Sequence, residues 1–484
     1  MRALIVMMAA GCATAPHGGA AASSAKEDPR LSTLLSEAIR FPTVAGNDQA
    51  RRDQQAWLLR TAASLGLVAR DAGPVTEIEL PGPPGAPVLG LVVHGDVQPV
   101  DAAQWTVPPF EGLVRDGFVI GRGAADDKGP LVQALLAMHA LQGATMTHTV
   151  RLLVGSDEES GSSDMKAYLA SHAPPAYSLV LDSEFPVVVG EKAWDGLAVL
   201  PLSEQCSGAF SVEEIDAGLA PSIVPDRARL TLRGDTSALR QHLAARTPDQ
   251  GTRLEFQQRG DLLDVIVHGK SAHAGVNIAG GRNALVSLAR LLQGELPDCA
   301  VADLFAFIAA QDTHGAALGL VEAAPGWNGW AVNVATLRRE SRLEGKLALV
   351  INLRRPPPMN ANQSRDHLYA QVRKFSPRLE PGTVFFGDEP LSFDPRGKLV
   401  LRLMDDYAKA TGERPPLAVS GGGTYAKRIP NAIAFGMWLP GKPYPGHDVD
   451  EKLPVADLQR GLDVLALTLR DLATSAPLLD PFQP

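Results

Sequence analysis

Four short apolar runs along this chain each lead into a side chain able to hold a metal or move a proton. Val88 to Val93 runs into His94, Val150 to Val154 into the pair Glu158 and Glu159, Tyr177 to Leu181 into Asp182, and Ala432 to Trp438 into a loop carrying His447. Runs this short and this continuously apolar read as strands buried on both faces, which implies an α/β fold with a mostly parallel central sheet and helices on either side. Ligands of such sheets bind outside the carboxyl ends of the strands. Four strands would therefore bring these side chains to one rim, a convergence not expected of solvated surface residues. Asp126 stands just before a helical stretch, Gly129 to Leu141, with Pro130 in the first turn, where proline is tolerated.

The periodicity changes along the chain. Helical spacing marks Leu31, Leu34, Leu35 and Ile39, and again Trp57, Leu58, Ala62 and Leu65, before a Pro/Gly-rich loop from Pro81 to Gly85. From about Val187 the pattern alternates: Ala228, Leu230 and Leu232; Leu263, Val265 and Val267; Leu347, Leu349, Ile351 and Leu353. A period of two reads as an antiparallel sheet with one covered face, and the helical run Ala284 to Leu292 supplies cover. After Leu391 the order returns to helix and buried strand. Since His447 must rejoin His94, the reading is an α+β, ferredoxin-like lid domain inserted into an α/β catalytic domain. The predicted boundaries are 1–28 for a leader and tether, 29–187 and 389–484 for the catalytic domain, and 188–388 for the lid.

Length agrees with this division, because 484 residues exceed what one ordinary core organises. A balance of 45 Lys+Arg against 54 Asp+Glu, with no long basic stretch, argues against nucleic acid as a partner. The three cysteines, Cys12, Cys206 and Cys299, are too few and too far apart for a disulfide framework or a Cys-rich zinc site, and Cys206 and Cys299 read as plain buried thiols. At the N-terminus, Arg2 followed by Ala3 to Ala10 is too short to span a bilayer but suits a secretory signal. Ala9-Ala10-Gly11-Cys12 resembles a bacterial lipobox, with Ala13 to Asp28 as a flexible tether. The expectation is an exported protein of the periplasm or cell envelope, touching the membrane only through a lipid on Cys12.

Taken singly, the candidate residues are weak signals. Glu158 and Glu159 alone read as an acidic surface loop, Asp96 as a turn residue, and Asp127 competes with Asp126, while Lys128 could pair with either. Together the motifs carry a resemblance. His94-Gly-Asp96-Val97, Gly121-Arg-Gly-Ala-Ala-Asp126-Asp-Lys128-Gly129-Pro and Asp157-Glu158-Glu159-Ser-Gly resemble, in order, the motifs of the aminoacylase/carnosinase/carboxypeptidase G family of di-zinc metallopeptidases. Leu181-Asp182-Ser-Glu-Phe-Pro186, Ser271-Ala-His273-Ala, Ile351-Asn-Leu-Arg354 and Ser420-Gly-Gly-Gly-Thr-Tyr425 look most like its peptidase V-like dipeptidases. The resemblance covers the chain from about residue 30 to near its end.

That resemblance implies two Zn2+ ions, with Mn2+ or Co2+ as alternatives. Asp126 would bridge them, Glu159 and His447 would complete one, and His94 and Asp182 the other. A hydroxide between the metals would be the nucleophile and Glu158 the general base. Asp96 would fix the His94 tautomer without touching metal. His273 would donate to the oxyanion from the inserted domain, Arg354 would clamp the substrate's C-terminal carboxylate, and Gly422, Gly423 and Thr424 would offer backbone N–H groups to an anion. Arg355 is expected to face solvent, and His139, His172, His242, His268, His314 and His367 to be structural or solvated. Two positions depart from the family pattern: Ser222 stands where relatives often carry Asn, and Thr106-Val107-Pro108 where they commonly carry an acidic residue. The function implied is a monomeric dipeptidase acting on short peptides with a free C-terminal carboxylate. An N-acyl-amino-acid deacylase would use the same metals and base, and a non-catalytic metal- or peptide-binding lipoprotein would have no use for Glu158.

Overall fold

A computed structural model of the protein describes residues 27–320, 323–385 and 387–484. The expected leader and Cys12 lie outside the described residues. The four apolar runs are adjacent strands of one sheet. Val88–His94 pairs in parallel with Thr149–Gly155 on one side and with Tyr177–Val180 on the other, and Tyr177–Val180 pairs in parallel with Ala432–Ala434. Antiparallel pairings extend this block at both edges, and Ala418–Ser420, parallel to Val188–Glu191, brings the sheet to nine strands. Their side chains are buried on both faces because helices cover both, as the unbroken apolar runs require.

The first helix, Pro29–Ile39, starts with Asp28 accepting the Arg30 N–H at 2.9 Å and proline in its first turn, and it buries Leu31, Leu35, Ala38 and Ile39. Asn47 caps Asp48–Ser64 in the same way. The helix Lys128–His139 is buried from Lys128 to Met138, clasped between the first helix and the long C-terminal helix Val455–Thr474. A helix buried all round holds its N-terminal loop stiffly, and that loop carries Asp126.

The chain leaves this sheet at Glu191, passes through the single residue Lys192, and enters a second sheet at Ala193. Eight antiparallel strands make up this second sheet, in the order Arg253–Arg259, Leu262–His268, Arg227–Gly234, Phe210–Ala217, Ala331–Glu340, Lys346–Arg355, Ala193–Pro201, Leu379–Phe385. The alternating residues Leu230, Leu232, Val265, Val267, Leu349, Ile351 and Leu353 form its own core with the helices Ala284–Leu291, Ala300–Ala309 and Ala361–Phe375. The strand Leu391–Ser392 then pairs back onto Gly190 and Glu191. Among the described residues no helix is long and apolar enough to cross a membrane.

One expectation is overturned here. Cys206 and Cys299, 93 residues apart, are joined by a disulfide with their Cα atoms 5.4 Å apart. Both lie in the second sheet's core. Folding brings the loop before Phe210–Ala217 against the start of Ala300–Ala309, a proximity that sequence spacing does not show.

Candidate metal centre

His94 ends its strand and points its Nε2 at the Asp126 carboxylate, 3.0 Å from Oδ1 and 3.9 Å from Asp182 Oδ2. His447 approaches the same carboxylate from the other side, its Nε2 3.2 Å from Asp126 Oδ2 and 3.1 Å from Glu159 Oε1. The two oxygens of Asp126 thus serve two histidines, and each histidine has one further carboxylate of its own. Both imidazoles are fixed from behind: His94 Nδ1 donates to the Asp96 carbonyl at 3.0 Å, and His447 Nδ1 to the Ser222 carbonyl at 3.3 Å. Each Nε2 is therefore left to face the carboxylates, as in metal-ligating histidines held by an outer partner. His447 holds a left-handed backbone, φ 63°, a conformation uncommon outside glycine and clustered where a site dictates backbone geometry.

The donor set fits a pair of divalent cations. Nitrogen and carboxylate donors with bonds of roughly 2.05 Å stand about 3.3 Å apart along a tetrahedral edge, close to the 3.0 to 3.2 Å between each Nε2 and Asp126. Charge points the same way. Asp126, Glu158, Glu159 and Asp182 converge on one pocket, and buried carboxylates require positive charge. Without cations the histidines supply it: burial depresses the His447 pKa, but Glu159 and Asp126 outweigh that and carry it to about 10. Burial first, then the neighbouring carboxylates, push Glu158 up to about 8.

The centre opens into a cavity of about 440 Å3 where both sheets meet, lined on the lid side by His273, Gly275 and Asn277 and on the catalytic side by Gly421 to Thr424. His273 Nδ1 accepts from the N–H groups of Gly275 and Val276, at 3.0 and 2.9 Å. Its hydrogen therefore resides on Nε2. Burial and the nearby His447 and Arg354 charges keep the ring neutral by holding its pKa well below the usual range. The ring lies 4.4 Å from that of His447.

A family model described as Peptidase family M20/M25/M40 matches residues 90–471. The chain belongs to this family. Its members are metal-dependent peptidases, so this M20 chain is a hydrolase. It is similar to a putative dipeptidase, YtjP, of Bacillus subtilis, 29% identical over 405 residues that cover 80% of this chain and 84% of that one. It is also similar to the Beta-Ala-Xaa dipeptidase of Lactobacillus delbrueckii, 26% identical over 392 residues that cover 79% and 82%. Human carnosine dipeptidase 1 shares the fold, with a TM-score of 0.59 at 13% identity over 91% of this chain and 95% of that one.

Several residues of this M20 chain sit differently from their sequence-based expectations. The Asp96 carboxylate accepts the N–H groups of Glu158 and Glu159 at 3.1 and 3.0 Å. It therefore aims the acidic pair, while its carbonyl holds His94. Asp127 is turned away, accepting the His94 N–H at 3.0 Å. Lys128 pairs with neither aspartate; it donates to the Ala38 and Phe41 carbonyls at 3.0 and 2.6 Å. Ser222 serves His447 through its backbone, so a shorter side chain there does not remove that contact. Thr424 is committed to buried Glu191 through both N–H and hydroxyl, and the Gly422 N–H already donates to the Ser420 hydroxyl at 3.0 Å. Gly421 and Gly275 touch backbone to backbone; a Cβ on Gly421 would lie 2.0 Å from the Gly275 carbonyl oxygen. His314 is exposed, as a solvated histidine would be, and also lines the pocket.

The two arginines are also reassigned. Arg355 is fully buried, not solvent-facing, and grips Asp195 through Nε at 2.7 Å, with Glu389 and the Met359 carbonyl as further partners. Arg354, one residue earlier on the strand, points the opposite way. It donates to Asn352 at 3.1 Å and stands 3.5 Å from the Ser222 hydroxyl. It makes no ion pair among the described residues and lies against Gly275, directly behind the pocket lining. Arg355→Ala is expected to lower unfolding free energy by about 3–5 kcal/mol, because it strands a buried carboxylate. In urea titrations Arg354→Ala should lose far less, its effect appearing in KM.

Sequence reasoning missed three supports. Glu451 accepts from Arg122 at 2.7 Å and from the N–H groups of Gly123, Ala125 and Asp126 at 3.1, 2.8 and 3.2 Å, cradling the Asp126 loop. Asp164 collects the Ser156 and Asp157 N–H groups and the Tyr425 hydroxyl, fixing the approach to Glu158. Gln98 donates to Glu159 Oε2 at 2.8 Å. The one sequence signal was proximity to motif residues, since Glu451 follows His447 by four.

Proposed function

We propose that this chain is a dinuclear metal-dependent dipeptidase that cleaves the amide bond of short peptides with a free C-terminal carboxylate. The observation that carries the reading is Asp126, whose two oxygens are shared between two separate His/carboxylate pairs. Asp126 would bridge two cations, zinc by preference, with His94 and Asp182 on one and Glu159 and His447 on the other. Bound there, the cations would polarise the scissile carbonyl and make a water acidic enough to attack near neutral pH. Glu158, in the pocket but assigned to neither cation, takes the proton of the attacking water and passes it to the leaving amine. His273 Nε2–H donates to the oxygen that gains charge in the tetrahedral state.

Two further aspects belong to this proposal. His273 lines the cavity from the same chain as the ligands, with Arg354 behind that lining, which supports action as a monomer. The Cys206–Cys299 disulfide suits an oxidising compartment and supports export to the cell envelope, with Cys12 as the lipid attachment point. A panel of dipeptides, N-acyl amino acids and longer peptides assayed with zinc, manganese or cobalt tests the function. Turnover confined to N-acyl amino acids would replace this reading with a deacylase, and none at all would leave a binding protein.

A further inference from the structure

Two charged side chains in the pocket have no role in the chemistry above. Lys192 lies at the seam between the two sheets and is only 5% exposed, yet it lines the cavity. Its N–H and carbonyl are satisfied by Ser420 and Lys427, but its ammonium has no hydrogen-bond or ion-pair partner among the described residues. The next strand sets Arg354 opposite Trp194, so a second unpaired cation stands close by, and burial followed by the Arg354 charge holds Lys192 down at about 8. Arg354 feels the charges of Glu158, Asp388 and Glu159, but Lys192 has no such anion, and a buried cation beside another is unfavourable unless a ligand brings the counter-charge. Glu184 has the opposite sign. It lies two residues beyond Asp182 on a short ribbon paired with Trp438, lines the same cavity, and its carboxylate has no partner among the described residues. Lys442, a third charge on the wall, is committed to Asp457.

We propose that Lys192 and Glu184 are the specificity-determining contacts for the two charged ends of a zwitterionic dipeptide. Lys192 takes the C-terminal carboxylate directly, with Arg354 reinforcing it from behind Gly275, and Glu184 takes the N-terminal ammonium. This rests on the dipeptidase reading and extends it from a reaction to a substrate class. The ends of a dipeptide lie within about 7 Å of each other, so both receptors must occupy one small pocket, as they do. An N-acyl amino acid satisfies only Lys192 and leaves Glu184 buried beneath an uncharged group. That difference sets dipeptides above N-acyl amino acids on a centre able to cut either.

The test uses the full metal-loaded chain and four forms of one dipeptide: free, N-acetylated, C-amidated, and blocked at both ends. A hydrogen bond to a charged group is worth roughly ten- to hundredfold in binding. Lys192→Met should lower the preference for the free over the amidated form by that factor, mainly through KM, and leave the free-to-acetyl preference in place. Glu184→Gln should do the reverse, and Lys192→Arg and Glu184→Asp should restore part of each preference. Because each readout is a ratio within one protein preparation, partial misfolding cancels. Free dipeptide turnover with both ratios unmoved by the substitutions would overturn the charge assignment and leave the peptidase standing. Failure of the unsubstituted enzyme on all four forms would overturn both.

Discussion

Glu158→Gln is expected to lower kcat by about 10^3- to 10^4-fold while the protein keeps its full complement of metal. General-base transfers contribute on the order of 10^2- to 10^4-fold, and the same carboxylate here must also protonate the amine, so the upper part of that range applies. The amide is isosteric and Glu158 is assigned to neither cation. The backbone N–H of residue 158 still donates to Asp96, so the loop that aims Glu159 stays in place. Metal analysis alongside steady-state kinetics separates the possibilities. A variant that loses a metal would make Glu158 a ligand, and one that turns over normally would remove it from the mechanism.

Removing the metals should have the next largest effect. A chelator should abolish activity, and Asp126→Ala should lose both ions together, because both histidine pairs share that one carboxylate. His94→Ala should weaken one ion more than the other. The metal-free site holds protons that the cations must displace, on His447 with its pKa near 10 and on Glu158 near 8. Both values are raised above those of the unfolded chain. Their contribution to stability is therefore present at low pH, below about 4.5 for Glu158 and about 6.5 for His447, and is lost as pH rises through 8 and then 10. Apparent metal affinity must rise across the same window, with proton release on binding. The drop in Tm caused by chelation should accordingly be larger at pH 9 than at pH 6. Calorimetry in buffers of different ionisation enthalpy would count the protons, and a pH-independent drop would contradict the assignment.

The ligand set was legible in sequence because strand geometry is strongly local. A run such as Val88 to Val93 can only be buried, a buried strand in a parallel sheet has a fixed carboxyl end, and the side chain at that end has one rim on which to appear. Four such runs pointed to the α/β frame and to His94, Asp182, His447 and the Glu158–Glu159 pair, while Asp126, the family and the division of roles came from the resemblance of the motifs. The supports were not legible. Glu451 reaches back more than 320 residues to hold the Asp126 loop, and Asp164 gathers a loop and a distant tyrosine. A carboxylate accepting backbone N–H groups leaves no periodic trace.

The same limit explains the corrections. Arg354 and Arg355 are indistinguishable as letters, and strand alternation says only that they face opposite ways. Packing of the second sheet decided which one meets Asp195 in the interior and which lies behind the pocket. Cys206 and Cys299 became partners through contact between a loop and a helix start, and Lys192 became a pocket residue because the crossing between the sheets falls on it. Sequence by itself determined the family, through its motifs, and the candidate site residues, through local patterns that fix which residue ends each strand. Tertiary structure alone decided how those residues are held and which charges the pocket leaves unpaired, because both depend on contacts between segments whose separation along the chain carries no signal.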